Sequence, residues 1–166
     1  MNFLNLILAA LWFILPAYVA NAAPVALGGG RPIDGGKKFR DGRPLLGPGK
    51  TIRGFLAGLV AGSSVGFIQG LAVGSCTLPA IGLLLAVGAL VGDLSGSFIK
   101  RRLNIPRGGA APLLDQLGFV LMALLFASPL VIPRWETILT LIVVTPPIHL
   151  GTNFIGYKLG MKKKPY

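Results

Sequence analysis

Five apolar runs, each long enough to cross a bilayer, constrain this chain more than any other feature. A helix spanning about 30 Å of hydrocarbon needs roughly 20 residues. Runs of that kind occupy about Phe3–Leu27, Gly54–Val73, Pro79–Ile99, Pro112–Ile132 and Glu136–Tyr157. With 53% hydrophobic and 13% charged residues in 166, the chain is too apolar for an ordinary soluble domain. The first run ends in Val19-Ala20-Asn21-Ala22, which resembles a signal-peptide cleavage site. No basic segment precedes that run and a heavily basic one follows it, so the sequence predicts a retained helix. Pro16 and Pro24 are expected to kink it.

Charge sets the orientation. Of the 16 basic residues, Arg31, Lys37, Lys38, Arg40, Arg43, Lys50 and Arg53 follow the first run, and Lys100, Arg101, Arg102 and Arg107 follow the third. Lys158, Lys162, Lys163 and Lys164 follow the fifth, which leaves Arg134 alone on the other side. Cytoplasmic connections carry such an excess of Lys and Arg. The expected fold is therefore an all-α integral membrane protein of the cell membrane, in one domain. It has five transmembrane helices, the N-terminus outside, the C-terminus cytoplasmic, and two basic cytoplasmic loops. A net charge of +11 placed this way meets anionic headgroups, not nucleic acid. A single cysteine, Cys76, excludes an intramolecular disulfide and a cysteine metal cluster.

Glycines at 54, 58, 62, 66, 70 and 74 form a smooth stripe along the second run, and Gly88, Gly92 and Gly96 a shorter one on the third. Small residues at this spacing let membrane helices approach closely. Chemistry is expected elsewhere. Asp93 lies roughly 9 Å inside the cytoplasmic end of its helix at 1.5 Å per residue. A carboxylate there faces a cavity, a partner or a metal. Positions 93, 97 and 100 fall within about 60° of one another, so Asp93, Ser97 and Lys100 share a face. Arg101 flanks that face and Arg102 points away. The plain alternative is an Asp93–Lys100 ion pair. Asp115, in the opening turn after Pro112, stands at a similar depth. Its plain alternative is a partner for the helix N-terminus. Two carboxylates without cysteine suit a hard cation such as Mg²⁺ beside substrate phosphates.

Between the first two runs, Gly47-Pro48-Gly49-Lys50-Thr51-Ile52-Arg53 ends a glycine-rich basic loop. Gly49-Lys50-Thr51 looks like the close of a Walker loop, but Pro44 stands where its first glycine belongs and no strand precedes it. Asp41-Gly42-Arg43 opens like a CDP-alcohol phosphotransferase motif, whose later aspartates are missing. What survives is a phosphate cradle of backbone N–H groups with Lys50, Thr51 and Arg53 at a helix start. His149 and Asn153 lie one turn apart on the fifth run, a spacing that also suits interhelical hydrogen bonding.

Together, Asp41-Gly42-Arg43 through Gly47-Pro48-Gly49-Lys50-Thr51-Ile52-Arg53-Gly54, then Gly92-Asp93-Leu94-Ser95-Gly96-Ser97-Phe98-Ile99-Lys100-Arg101-Arg102, then Pro112-Leu113-Leu114-Asp115-Gln116-Leu117, carry a resemblance. With His149, Asn153, Tyr157 and the terminal Lys-Lys-Pro-Tyr, the chain resembles the CDP-archaeol synthase family. These are archaeal membrane enzymes related to CDP-diacylglycerol synthases. The resemblance implies a cytidylyltransferase that joins CTP to an isoprenoid glycerol phosphate, unsaturated archaetidic acid, and releases pyrophosphate. It implies catalytic roles for Asp93, Lys100 and Asp115, with Mg²⁺ on the two aspartates. It implies substrate binding by Asp41, Gly42, Arg43, Gly49, Lys50, Thr51, Arg53, Ser97, Arg101 and Asn153, with both basic loops forming the nucleotide site. Gly118 replaces an aspartate usual in the wider superfamily, and Gly109 and Ile52 stand where an acidic residue and a tryptophan are usual. Two rival classes are weighed beside it. A small ion-coupled transporter or assembly subunit would place polar residues through both halves of the bilayer. A lipid-phosphate phosphatase would need more than one histidine or a catalytic cysteine.

Overall fold

A computed structural model describes residues 2–161 and 164. Lys162, Lys163 and the closing Pro-Tyr of the basic tail lie outside the described residues. Among those described the chain forms five helices: α1 (Phe3–Leu27), α2 (Ile52–Val73), α3 (Leu78–Arg102), α4 (Pro112–Ala127) and α5 (Trp135–Lys158). Four of them, α1, α2, α3 and α5, are long and apolar enough to cross a membrane. The fourth run departs from expectation. Its helix stops at Ala127 and not near Ile132, leaving 16 residues. Pro129 has no N–H to donate to Leu125 O, four residues earlier, and so sets that limit just after the Ser128 cap. The Ser128 hydroxyl closes the end by donating to Leu125 O at 2.8 Å.

The glycine stripe of α2 is buried from Gly54 to Gly70 between α1 and α3. A Cβ on Gly58 would stand 2.5 Å from Ala20 O, and one on Gly62 2.7 Å from Pro16 O. A Cβ on Gly66 would stand 2.5 Å from Gly82 Cα. Backbones this close leave no room for side chains. On α3, Gly88 and Gly92 press in the same way on Met122, Ala123, Phe119 and Gly118 of α4. Packing of this kind replaces the hydrophobic effect as the glue between helices in lipid. The core is accordingly rich in small residues, with Ala10, Ala17, Ala20, Ala86, Ala89 and Ala123 packed beside Ile14, Leu85, Phe119 and Leu141. Large apolar side chains such as Leu56, Val60, Phe67 and Val143 face outward.

Some polar groups inside the bundle are paired, although Ser63 Oγ is buried with no hydrogen-bond partner among the described residues. Pro16 lacks an N–H and so frees the carbonyl four residues earlier. Gln69 Nε2 donates to that carbonyl, Trp12 O, at 2.6 Å. Tyr18 and Thr145 join their hydroxyls at 2.8 Å and tie α1 to α5. The short 74–77 and 128–134 connections lie at one end of the bundle. The two long basic connections, 28–51 and 103–111, lie at the other, where Lys50–Asp93 and Arg102–Asp41 ion pairs tie the first of them to α3, the helix that leads into the second.

Candidate active site

The 28–51 loop is built by its own backbone. Its base closes as a short antiparallel ladder, with Ile33 N donating to Lys50 O at 2.8 Å and Ile52 N to Arg31 O at 3.1 Å. That ladder fixes Lys50 at the mouth of α2. Thr51 caps α2, its Oγ1 accepting from Gly54 N at 3.1 Å and from Gly29 N at 3.2 Å. Capping is therefore the role the structure gives Thr51. Asp34, which sequence reasoning passed over, is the knot of the loop. Its carboxylate accepts from the backbone N–H of Gly36, Leu46 and Gly47, each at 2.9 Å, and it is buried. Burial pushes its carboxyl up, but the three N–H groups outweigh that and hold it below the usual carboxylate range.

A carboxylate with a depressed pKa contributes stability above its unfolded pKa and loses it as the pH falls through the folded one. The loop should therefore stay closed at neutral pH and open only in acid, below the ordinary carboxylate range. Asp34→Ala should open it at every pH, at about 1.5–3 kcal/mol for a charged acceptor. Hydrogen exchange at the Leu46 and Gly47 amides reads this directly. Unchanged protection would show that the knot is ornamental.

Residues 37–45 fold into a hairpin, with Phe39 N donating to Arg43 O at 2.8 Å and Gly42 turning at φ +76°. Asp41, Gly42 and Arg43 form its tip. Arg102, which helical phasing turned away from Asp93, pins this tip to the end of α3. Its Nη1 donates to Asp41 Oδ1 at 2.7 Å, and its guanidinium also reaches the carbonyls of Arg43 and Pro44. Phe39 and Phe98 lie against it, with ring centroids 4.8 and 5.0 Å from Cζ. Arg43 donates in return to Arg102 O. The structure thus gives Asp41 and Arg43 a clamp to α3. No sequence pattern marks it, because the partners are some sixty residues apart.

Two lysine–carboxylate pairs form the centre. Lys50 Nζ reaches both oxygens of Asp93, at 2.7 and 2.6 Å. Lys100 Nζ lies 2.7 Å from Asp115 Oδ1, and Asp115 Oδ2 accepts from Ala111 N at 2.9 Å. The Asp93–Lys100 pair offered as the plain alternative does not form, since Asp93 is taken by Lys50 of the 28–51 loop and Lys100 by Asp115 of α4. The helix-N-terminus alternative for Asp115 does hold, alongside its ion pair. All four side chains are partly exposed, between 15% and 31%. A cavity lined by Gly49, Lys50, Thr51, Gly54, Asp93 and Leu94 opens at the first pair.

The remaining expected residues fall at varied distances from that centre. Ser97 is buried one turn after Asp93. Arg101 Nη2 donates weakly to Pro106 O at 3.4 Å, while its Nε is buried with no hydrogen-bond partner among the described residues. Arg53 is exposed on the first turn of α2. Asn153 is buried against His149, Nδ2 to Nδ1 at 3.3 Å, and the His149 ring lies 6.2 Å from that of Phe119. It is thus the His149 ring, one turn before Asn153, that meets α4. Among the described residues no three His, Cys, Asp or Glu gather into a metal cluster. Asp93 and Asp115 offer hard carboxylate oxygens on packed neighbouring helices, donors of the chemical type that suits a hard divalent cation such as Mg²⁺. At Gly118 a side chain would meet only Leu114 Cδ1 at 3.8 Å, so packing does not exclude one there.

The chain as a whole, these two loops included, is similar to known proteins. The family model for CarS-like CDP-archaeol synthases matches residues 3–166. The chain belongs to the CDP-archaeol synthase family. A CDP-archaeol synthase of Pyrococcus horikoshii is 54% identical over 98% of this chain and 99% of its own length. That of Thermococcus kodakarensis is 52% identical over the whole of both chains, and that of Methanocaldococcus jannaschii 48% identical over 96% of this chain and 97% of its own. A solved structure of an intramembrane enzyme for archaeal membrane lipid biosynthesis is also similar. It has a TM-score of 0.83 at 47% identity, covering 89% of this chain and 94% of that one. The chain is thus an enzyme, built as a multi-pass membrane helix bundle. Membership of this family of synthases sets the transporter and phosphatase readings aside.

Proposed function

We propose that this CDP-archaeol synthase family enzyme transfers CMP from CTP to an isoprenoid glycerol phosphate, with release of pyrophosphate. The observation that carries the reading is the double ion pair, Lys50–Asp93 and Lys100–Asp115, beside a glycine loop at one end of the bundle. Each pair holds a cation and an anion that can part company when phosphates arrive. The lysines are then free to donate to phosphate oxygens, and the carboxylates would hold a divalent cation that adds positive charge there.

The chemistry needs no covalent enzyme intermediate. A phosphate oxygen of the lipid attacks the α-phosphorus of CTP in line. A new P–O bond forms, the bond between the α-phosphorus and its bridging oxygen breaks, and pyrophosphate leaves with that electron pair. The nucleophile is already an anion, so no base is required and His149 is not assigned that role. Positioning and charge neutralisation carry the rate. Lys50 and Arg53 at the start of α2, with Lys100 and Arg101 at the end of α3, neutralise the triphosphate, and Ser97 adds a hydroxyl donor. Asp93 and Asp115 would hold Mg²⁺, which supplies further positive charge against the nucleotide phosphates. The isoprenoid chains enter sideways between helices.

The fine topology belongs to the same proposal: α4 makes a fifth crossing, the N-terminus is outside, and the site faces the cytoplasm. Cys76, exposed in the 74–77 connection, reports on it. A membrane-impermeant maleimide should label Cys76 in intact cells without lysis. Labelling only after lysis would invert the orientation. For the reaction itself, purified enzyme with CTP, Mg²⁺ and an isoprenoid glycerol phosphate should yield the CDP-linked lipid by mass spectrometry. No such lipid with any chain type would end the reading.

A further inference from the structure

Arg107 stands at the corner of a turn that the proposed reaction leaves without a role. Gly109 N donates to Pro106 O at 2.8 Å, and Gly108 takes φ +74°. That is a four-residue turn with glycine at its third position, where a left-handed backbone is needed, and it projects Arg107 at the second. The turn is braced by the catalytic end of α3. Lys100 Nζ donates to Gly109 O at 3.3 Å and Arg101 Nη2 to Pro106 O.

The Arg107 side chain crosses from this loop to the other one. A Cβ on Gly49 would stand 3.3 Å from Arg107 Nε, 3.7 Å from Nη2 and 3.8 Å from Cζ. The guanidinium therefore lies against the bare face of Gly49, whose neighbour Lys50 holds Asp93. Yet no side-chain hydrogen bond or ion pair ties Arg107 to any described residue, and it is exposed. Lys50, Lys100, Arg43 and Arg102 are all committed to protein partners. A guanidinium offers five donors in a planar fork matched to phosphate oxygens. Here that fork is placed by a built turn, with its donors open.

We infer that Arg107 binds the β- and γ-phosphates of the nucleoside triphosphate and steadies the departing pyrophosphate, with Gly49 kept small to admit it. This rests on the CTP-dependent reading above. The choice of the distal phosphates follows from depth. Lys50 and Asp93 are about seven-tenths covered at the edge of the bundle, where a lipid phosphate must meet the α-phosphorus. Arg107 is on the solvent side of them.

Calorimetric titration of the purified full-length enzyme with CTP and with CMP, in the presence of Mg²⁺, tests it. Arg107→Ala should weaken CTP binding about 10- to 100-fold, the scale of a lost charge-assisted fork, and leave CMP binding unchanged. Arg107→Lys should recover part of the CTP affinity by restoring charge without the fork. In turnover, KM for CTP should rise while KM for the lipid holds. Equal CTP affinity in wild type and Arg107→Ala overturns the proposal, as does an equal loss for CTP and CMP. A wild-type enzyme that binds no CTP overturns the reading beneath it, and the proposal with it.

Discussion

Replacing Asp93 with asparagine should lower kcat for CMP transfer by about 10²–10³, the usual loss when one charge-stabilising group is removed from a transition state. The substitution keeps the shape and one acceptor oxygen but removes the anion that faces Lys50. Because both side chains of that pair are roughly a third exposed, the accompanying change in stability should stay within about 1 kcal/mol. The separation of the two effects is what identifies a catalytic group. Asp115→Asn should behave alike, with Lys100 as the partner left behind. Steady-state kinetics beside a thermal unfolding curve make the check. Near-normal turnover in either variant would remove that aspartate from the reaction and the divalent cation from its carboxylate.

The second large effect concerns the scaffold. Gly66→Val should destabilise the folded bundle by about 3 kcal/mol or more, at the upper end of overpacking. A Cβ at 66 would stand 2.5 Å from Gly82 Cα and 3.2 Å from Leu78 O, and both are backbone atoms that cannot step aside. The helices α2 and α3 would have to separate, and that shift would draw Lys50 from Asp93 as well. Gly151→Ala is the matched control, since its Cβ would meet nothing within 4 Å. Thermal aggregation midpoints in detergent should fall sharply for the first and hold for the second. Equal midpoints would mean that the glycine stripe is not what joins these helices.

Local pattern made much of this legible before any coordinates. Runs of apolar residues located the helices to within a few residues, because the hydrocarbon thickness leaves little choice of length. The four-residue glycine period marked the α2 face that α1 and α3 cover. Where the sequence misled, a non-local or single-residue effect was at work. Pro129 ended α4 early, although the residues beyond it, Leu130 to Ile132, are as apolar as a span requires. Helical phasing put Asp93 and Lys100 on one face correctly, but pairing was decided by which loop arrived there. Lys50 came from 43 residues upstream and Asp115 from the next helix. Asp34 went unnoticed, and Arg102 was given no partner, for the same reason. An acceptor for three loop amides and a clamp between two rings have no period to read. Thr51, placed in a phosphate cradle by its neighbours, also caps α2, a role its position before the helix allows.

The account rests on breakage between the α- and β-phosphates of CTP at the Lys50–Asp93 and Lys100–Asp115 centre. The most direct measurement follows the label of [α-³²P]CTP and [γ-³²P]CTP in parallel reactions with an isoprenoid glycerol phosphate. The α label should appear in the lipid fraction and the γ label in pyrophosphate, and Asp93→Asn should suppress both together. Label from the γ position in the lipid would contradict the account, for the enzyme would then be transferring the terminal phosphate and not CMP.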